Sequence, residues 1–409
     1  MKLNLLVRGD LRSQFGMARL VREQIKMISP FFDKIIGVDL HFHPKFDKAE
    51  FPYEIMSDLE ARNLLSQDAS SNWIVFHHVT PDHYERYSNC YNLGYFIWET
   101  NKPPEDGNWE SSLRELDGLW VSAPFLIDMT NDLGWTKPIE VVPWPMAPLV
   151  LTEQIPNLAN LRIHEVSPKA IYSMDWNKFK ELGEEFFFSV SSDAPRKAIP
   201  VLLSEWVEYK KKSKLKKSLI LKISTFNFSK TEEVLLKECQ KFLNFACGGE
   251  TFVDTNFFII TDNLSDEGLA YLYNLCQAYI TTTVGEGFGG PIAEAALLGK
   301  VVLSPRHSSL ESLMPKDYPF VLPHEMVTLG QGPGSFYAAS SQWGLIQAGA
   351  LSKKLIELDQ ISSEDLADQG ESLRDFVSEV CSPKKVKATM EAFIKDQSHV
   401  IEHVCKVGE

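Results

Sequence analysis

Two carboxylates, Glu286 and Glu294, stand eight residues apart in the stretch Gly285-Glu-Gly-Phe-Gly-Gly-Pro-Ile-Ala-Glu294. Glycine fills four of the six positions 285–290, so the backbone there can come close to a ligand. A carboxylate can accept hydrogen bonds from two neighbouring hydroxyls, which suits a sugar or ribose diol. The N–H groups and positive dipole end of a helix starting after Gly290 suit a diphosphate. Together these residue types point to a ligand that carries both hydroxyls and phosphates.

Such residues need a scaffold that brings strand ends and helix starts together. Residues 279–284 are β-branched and aromatic, which predicts a strand. Pro291 then opens an Ala/Leu helix that Gly299 stops, and residues 301–304 predict the next strand. This is a strand–loop–helix–strand unit of a parallel sheet, in which ligands gather outside the carboxyl ends of the strands.

The run from Gly285 to Val302, with its Glu-x7-Glu spacing, resembles the signature of retaining GT-B glycosyltransferases of the GT4 type. The resemblance implies an α/β chain of the GT-B fold: two Rossmann-like parallel-sheet domains facing a cleft, with a C-terminal helix crossing back to the N-terminal domain. It implies that Glu286 meets hydroxyls of a donor sugar and that Glu294 holds the ribose of its nucleotide. Gly287, Phe288, Gly289 and Gly290 would lie against the same donor. In that family the first loop of the N-terminal domain faces the donor phosphates, which makes Gly9 and Gly16 site candidates; simple turn formation is the competing account.

His77 and His78 end the predicted strand 72–79, just before Thr80-Pro81. A histidine here resembles the family's cleft histidine, and because adjacent strand residues point to opposite faces only one of the two should reach it. The spacing to the proline favours His78. The family pairs an arginine with a lysine about five residues on, to neutralise a diphosphate leaving group. Here Ser191 or Ser192 stands where that arginine is expected, which leaves Lys197 as the main cation, with Arg196 beside it. Glu99 and Thr100 either meet the acceptor or serve packing around Trp98 and Trp120. The turn at 262–265, with Ser265 as helix N-cap, is where the family binds the nucleotide base through its backbone.

A chain of 409 residues has room for two domains, expected at 1–165 and 166–380, with a returning helix at 381–409. Its hydrophobic content of 44% and charged content of 23% are those of a globular protein. The net charge of −14 argues against nucleic acid as a partner. No apolar run is long enough to span a bilayer, and the first eight residues are too short for a signal peptide. Six cysteines without metal spacing fit a reduced cytoplasm. No D-x-D pair appears, His41 and His43 read as loop, and His399 and His403 lack a supporting carboxylate, so no metal is expected. The basic run 210–217 is a solvated helix end or a site of peripheral membrane contact.

With these features, the resemblance implies transfer of a sugar from a UDP- or GDP-linked donor to a hydroxyl acceptor, with retention and without a cofactor. The acceptor, whether glycan, lipid-linked saccharide, glycosylated protein or metabolite, is not readable. A silent nucleotide-sugar-binding subunit of a glycosylation complex, or a sugar-nucleotide epimerase, are the alternatives.

Overall fold

A computed structural model describes residues 3–13, 16–40, 49–68, 70–105, 107–149, 158, 160–225, 230–249, 254–330 and 337–406. The chain forms two compact units: Met1–Met146 with Gly330–Ser341 and Glu379–Glu409, and Ala147–Leu329 with Gln342–Ser378. His41 and His43 lie outside the described residues.

In the first unit, seven strands make one sheet: β1 (Leu3–Gly9), β2 (Lys34–Asp39), β3 (Glu54–Ile55), β4 (Asn72–His78), β5 (Tyr91–Phe96), β6 (Gly118–Val121) and β7 (Ile139–Val141). Every pairing is parallel, and the order is β3-β2-β1-β4-β5-β6-β7. Parallel strands are covered on both faces, which is why β1 and β5 are buried from end to end. The crossovers include α1 (Gly16–Ile28), α2 (Asp58–Gln67), α3 (Trp109–Arg114) and α4 (Phe125–Asp132). Leu20, Val21, Ile25 and Ile28 of α1 bury one stripe against Leu3, Leu5 and Val7 of β1. A capping box between Ser57 and Glu60 fixes the start of α2.

The second unit's main sheet contains β8 (Arg162–Val166), β9 (Ile171–Asp175), β10 (Glu185–Ser192), β11 (Lys217–Ser224), β12 (Phe257–Ile260), β13 (Ala278–Ile280), β14 (Val302–Pro305) and β15 (Val321–Leu322). Its order is β15-β14-β13-β10-β11-β12-β8-β9, parallel throughout except where the β8–β9 hairpin joins β12 antiparallel. A separate antiparallel ribbon pairs β16 (His324–Thr328) with β17 (Gln342–Ile346). Around them lie α5 (Trp176–Glu181), α6 (Ile199–Lys212), α7 (Glu232–Ala246), α8 (Asp266–Leu275), α9 (Gly290–Leu297), α10 (Leu310–Leu313), α11 (Ala350–Leu358) and α12 (Ser363–Val380). Glu205 of α6 caps α11 by accepting from the backbone N–H groups of Gly349 at 2.6 Å and Ser352 at 2.9 Å.

The chain then returns to the first unit as α13 (Pro383–Asp396) and α14 (Ser398–Lys406). Val386, Met390, Phe393, Ile394 and Ile401 join the cluster built on β1 and β4, and Phe393 packs edge-on to Trp120 at 5.7 Å. Burying a side chain such as Phe393 is worth about 1.5–3 kcal/mol, so these helices are part of that core.

Two expectations are corrected. The strand expected over 279–284 stops at Ile280, because the Val284 N–H turns to the Arg196 carbonyl instead of a neighbouring strand. The basic run 210–217 is a solvated helix end at Lys211, Lys212, Lys214 and Lys216, which are exposed, but not at its last residue. Lys217 is 5% exposed and pairs with Asp359 at 2.8 Å, and Lys210 donates to the Lys217 carbonyl at 3.1 Å. No described helix is long and apolar enough to cross a membrane.

Candidate functional site

Strand order reverses in each sheet, and the reversal marks where an open α/β sheet offers its crevice. In the second unit the chain leaves β10 for β11 on one side and reaches β13 on the other. The loops after β10 and β13 therefore meet: the first carries Pro195-Arg-Lys197, the second residues 281–289.

Their meeting is an ion cluster. Glu286, 4% exposed, takes Lys197 Nζ on Oε1 and Arg196 Nη1 on Oε2 at 2.9 Å. Thr283 Oγ1 stands 2.8 Å from the same Oε1. Burial alone would raise the Glu286 pKa; the charges of Lys197 and Arg196, with hydrogen bonds from Lys197 and Thr283, override it and bring the carboxyl down to about 2. Glu286 is thus a fixed anion. Arg196 also donates to the Gly285 carbonyl at 3.1 Å, tying the two loops together.

The sequence explains how the cations come to face the loop. Residues 195–197 form one 3₁₀ turn, and Ala198 adopts φ +47° before α6 begins at Ile199 with Pro200 in its first turn. The turn is thus set off from the helix, and both of its cations meet Glu286. Behind the loop, residues 306–309 hold the Glu286 peptide: its N–H donates to Ser308 Oγ at 3.1 Å, and Ser309 Oγ donates to its carbonyl at 2.8 Å. Ser308 sits at φ +50°, a conformation that non-glycine residues keep only where surroundings impose it. His307 lies 3.2 Å from the Thr283 carbonyl, and burial with the neighbouring His324 lowers its pKa to about 4.

Gly287, Phe288 and Gly289 are buried and Gly290 half-buried. Gly289 takes φ +93°, and a Cβ there would stand 2.7 Å from Leu310. This glycine ends the loop and lets α9 begin, with Pro291 in its first turn. Glu294, half-buried on α9, accepts from the Tyr273 hydroxyl at 3.1 Å. Ser265 caps α8, accepting from Gly268 N–H at 3.2 Å.

In the first unit the reversal lies between β1 and β4, where Gly9 and His78 are paired neighbours. A Cβ on Gly9 would come within 2.6 Å of the His78 carbonyl, so the close approach itself requires glycine. Gly16 is exposed at the start of α1, beside Trp144. His77 and His78 do point to opposite faces. His77 lies 3.3 Å from Asn92 Oδ1 among Tyr84 and Tyr87, a packed polar pocket. His78 stacks on Tyr95 at 4.8 Å, and among the described residues its buried Nε2 has no hydrogen-bond partner. Burial lowers both pKa values to about 3, helped for His77 by the charge of Arg8. Thr100 is buried and bonded to Trp98 and Lys102; Glu99 is half-buried.

Sequence reasoning missed Thr283, Tyr273 and the 307–309 support. Thr283 was hidden inside a β-branched run, and only the strand's early end releases it. Among the described residues no group of three or more His, Cys, Asp or Glu side chains is arranged to hold a metal ion.

No family model and no curated protein matches the sequence. Solved structures do. The chain is similar to HepE of Anabaena in complex with UDP and glucose, with TM-score 0.64, 10% identity, and 97% of this chain and 100% of that one covered. It is similar to a trehalose-6-phosphate protein from E. coli bound with UDP-2-fluoro glucose, at TM-score 0.60 and 13% identity over 96% and 98% of the two chains. A sucrose-phosphate synthase from Thermosynechococcus elongatus gives 0.61 and 11% over 98% and 100%. At these identities the likeness shows the fold, which is GT-B, with the C-terminal helices returning to the first unit.

Proposed function

We propose that the protein is a retaining glycosyltransferase that moves a sugar from a nucleotide diphosphate sugar to a hydroxyl acceptor. The observation that carries this reading is the buried Glu286 anion held by Lys197, Arg196 and Thr283 at the sheet's reversal point, directly before the glycine turn and the start of α9. The structurally similar proteins bound with UDP and glucose or with UDP-2-fluoro glucose support it.

In this reading Glu286 orients the sugar and Glu294 holds the ribose. Departure of the nucleotide builds negative charge on the diphosphate. Lys197, Arg196 and the N–H groups at the start of α9 are aligned before that charge forms, which is where electrostatic catalysis is strongest. In the first unit, His78 offers a neutral Nε2 to a hydroxyl group. Glu286 does not attack, because a carboxylate bound on both oxygens is a poor nucleophile; the leaving phosphate takes the acceptor proton on the same face, and no metal enters. The six buried free cysteines support a reducing compartment such as the cytoplasm.

The test is a thermal-shift screen of UDP, GDP, ADP and their common sugars on the wild type and Glu294→Ala, followed by nucleotide release from whichever sugar binds. A ligand at a hundred times its dissociation constant should stabilise the protein by about 2.7 kcal/mol, and the variant should lose that shift. Slow nucleotide release then supports a transferase. Binding without release would favour the silent subunit, and conversion of the sugar without transfer an epimerase.

A further inference from the structure

The contacts of Glu286 limit what it can recognise. An ionised carboxylate has about four acceptor positions, two on each oxygen. Oε1 takes Lys197 Nζ and stands 2.8 Å from Thr283 Oγ1; Oε2 takes Arg196 Nη1 at 2.9 Å. The Thr283 hydroxyl has one proton and three acceptors in range: the Arg196 carbonyl at 3.1 Å, the Gly285 carbonyl at 3.2 Å and Glu286 Oε1. The carboxylate is the nearest and the only charged one, so it receives the proton. Among the described residues Oε1 is then filled, and one position remains, on Oε2.

Resting on the transferase reading, we propose that Glu286 recognises a single hydroxyl of the donor sugar through Oε2, and that Thr283 is the positioning residue that enforces this. A bridge from Glu286 across two neighbouring hydroxyls, one to each oxygen, is closed off while Thr283 occupies Oε1. The backbone support reinforces the constraint, since Ser308 and Ser309 fix the Glu286 peptide on both sides. The carboxylate itself is held in its orientation by Lys197 and Thr283 on Oε1 and Arg196 on Oε2.

The experiment measures dissociation constants, by calorimetry, for UDP-glucose and its 2-, 3-, 4- and 6-deoxy analogues, or for the GDP-mannose series if that donor binds instead. The proteins are wild type, Glu286→Gln, Thr283→Val and Thr283→Ser. One deoxy analogue should bind tenfold to a hundredfold more weakly to wild type, roughly the worth of a hydrogen bond to a charged group, and Glu286→Gln should remove most of that loss at that position alone. Thr283→Ser should keep the wild-type profile. Thr283→Val should shrink the loss at that position at least threefold or spread it to a neighbouring hydroxyl. A merely structural role for Thr283 would weaken all analogues equally and leave the profile unchanged. Coupling of Glu286→Gln to two hydroxyls in wild type overturns the proposal, as does a wild-type profile in Thr283→Val. A wild type that binds neither donor nor its free nucleotide overturns the transferase reading, and this proposal with it. Should Thr283→Val not fold, the wild-type and Glu286→Gln profiles still decide.

Discussion

Replacing Glu286 with Gln removes one charge from a cluster of three, and the cost follows from burial. Arg196 and Lys197 side chains are only 15% and 11% exposed, so water cannot replace the lost partner. The carboxyl is moved from 4.5 to about 2 on folding, and at 1.36 kcal/mol per unit this is worth about 3 kcal/mol at neutral pH. Breaking a buried ion pair by removing one member costs about 3–5 kcal/mol, the same range. The sign is that of a depressed carboxyl: the stabilisation is complete above pH 4.5 and is lost as pH falls through 2, with about half gone by pH 3. Glu286→Gln should therefore melt roughly 6–12 °C below wild type at pH 7, and the gap should narrow by about half at pH 3. Thermal melting of both proteins followed by circular dichroism from pH 7 to 3 is the assay. A gap that stays constant with pH, or a variant as stable as wild type at pH 7, would refute the idea that Glu286 is a buried anion balanced by two cations.

Other outcomes follow from the same packing. Gly344→Ala would place a methyl 2.0 Å from the His307 ring and push it off the Thr283 carbonyl, so Tm should fall by the equivalent of about 1–3 kcal/mol and donor affinity should fall with it, read by melting and calorimetry. Phe393→Ala should cost about 3–5 kcal/mol in urea or thermal unfolding of the first unit, because α13 closes its core, while nucleotide affinity stays within twofold. His77 and His78 are buried neutral, with pKa values of about 3 against an ordinary 6.5, so they make stability decline as pH falls from about 6.5 towards 3. His78→Phe should flatten that decline, and an unchanged pH profile of melting would count against a buried neutral histidine.

The loop from Gly285 to Gly290 and the start of α9 were legible because glycine and proline act locally: a positive φ or a first helical turn depends on few neighbours. The parallel sheets were legible because both faces are buried, which leaves continuous apolar runs in the sequence. The fate of 281–284 was not. A threonine-rich run has strand propensity, but the Val284 N–H found the Arg196 carbonyl, and that partner lies 88 residues away along the chain. Propensity yields to such long-range bonds.

Lys197 shows the same division. Its type and its place after a strand marked it as a cation for an anionic ligand, yet the partner that it holds is Glu286. Lys217, read as one of a solvated run, is buried on Asp359. By itself the sequence determined the alternation of strands and helices, the glycine turn and which residue types are available for chemistry. Tertiary structure decided which charges meet, how far Glu286 is ionised and how many of its acceptor positions remain, because pairing, desolvation and saturation all depend on groups brought together from distant parts of the chain.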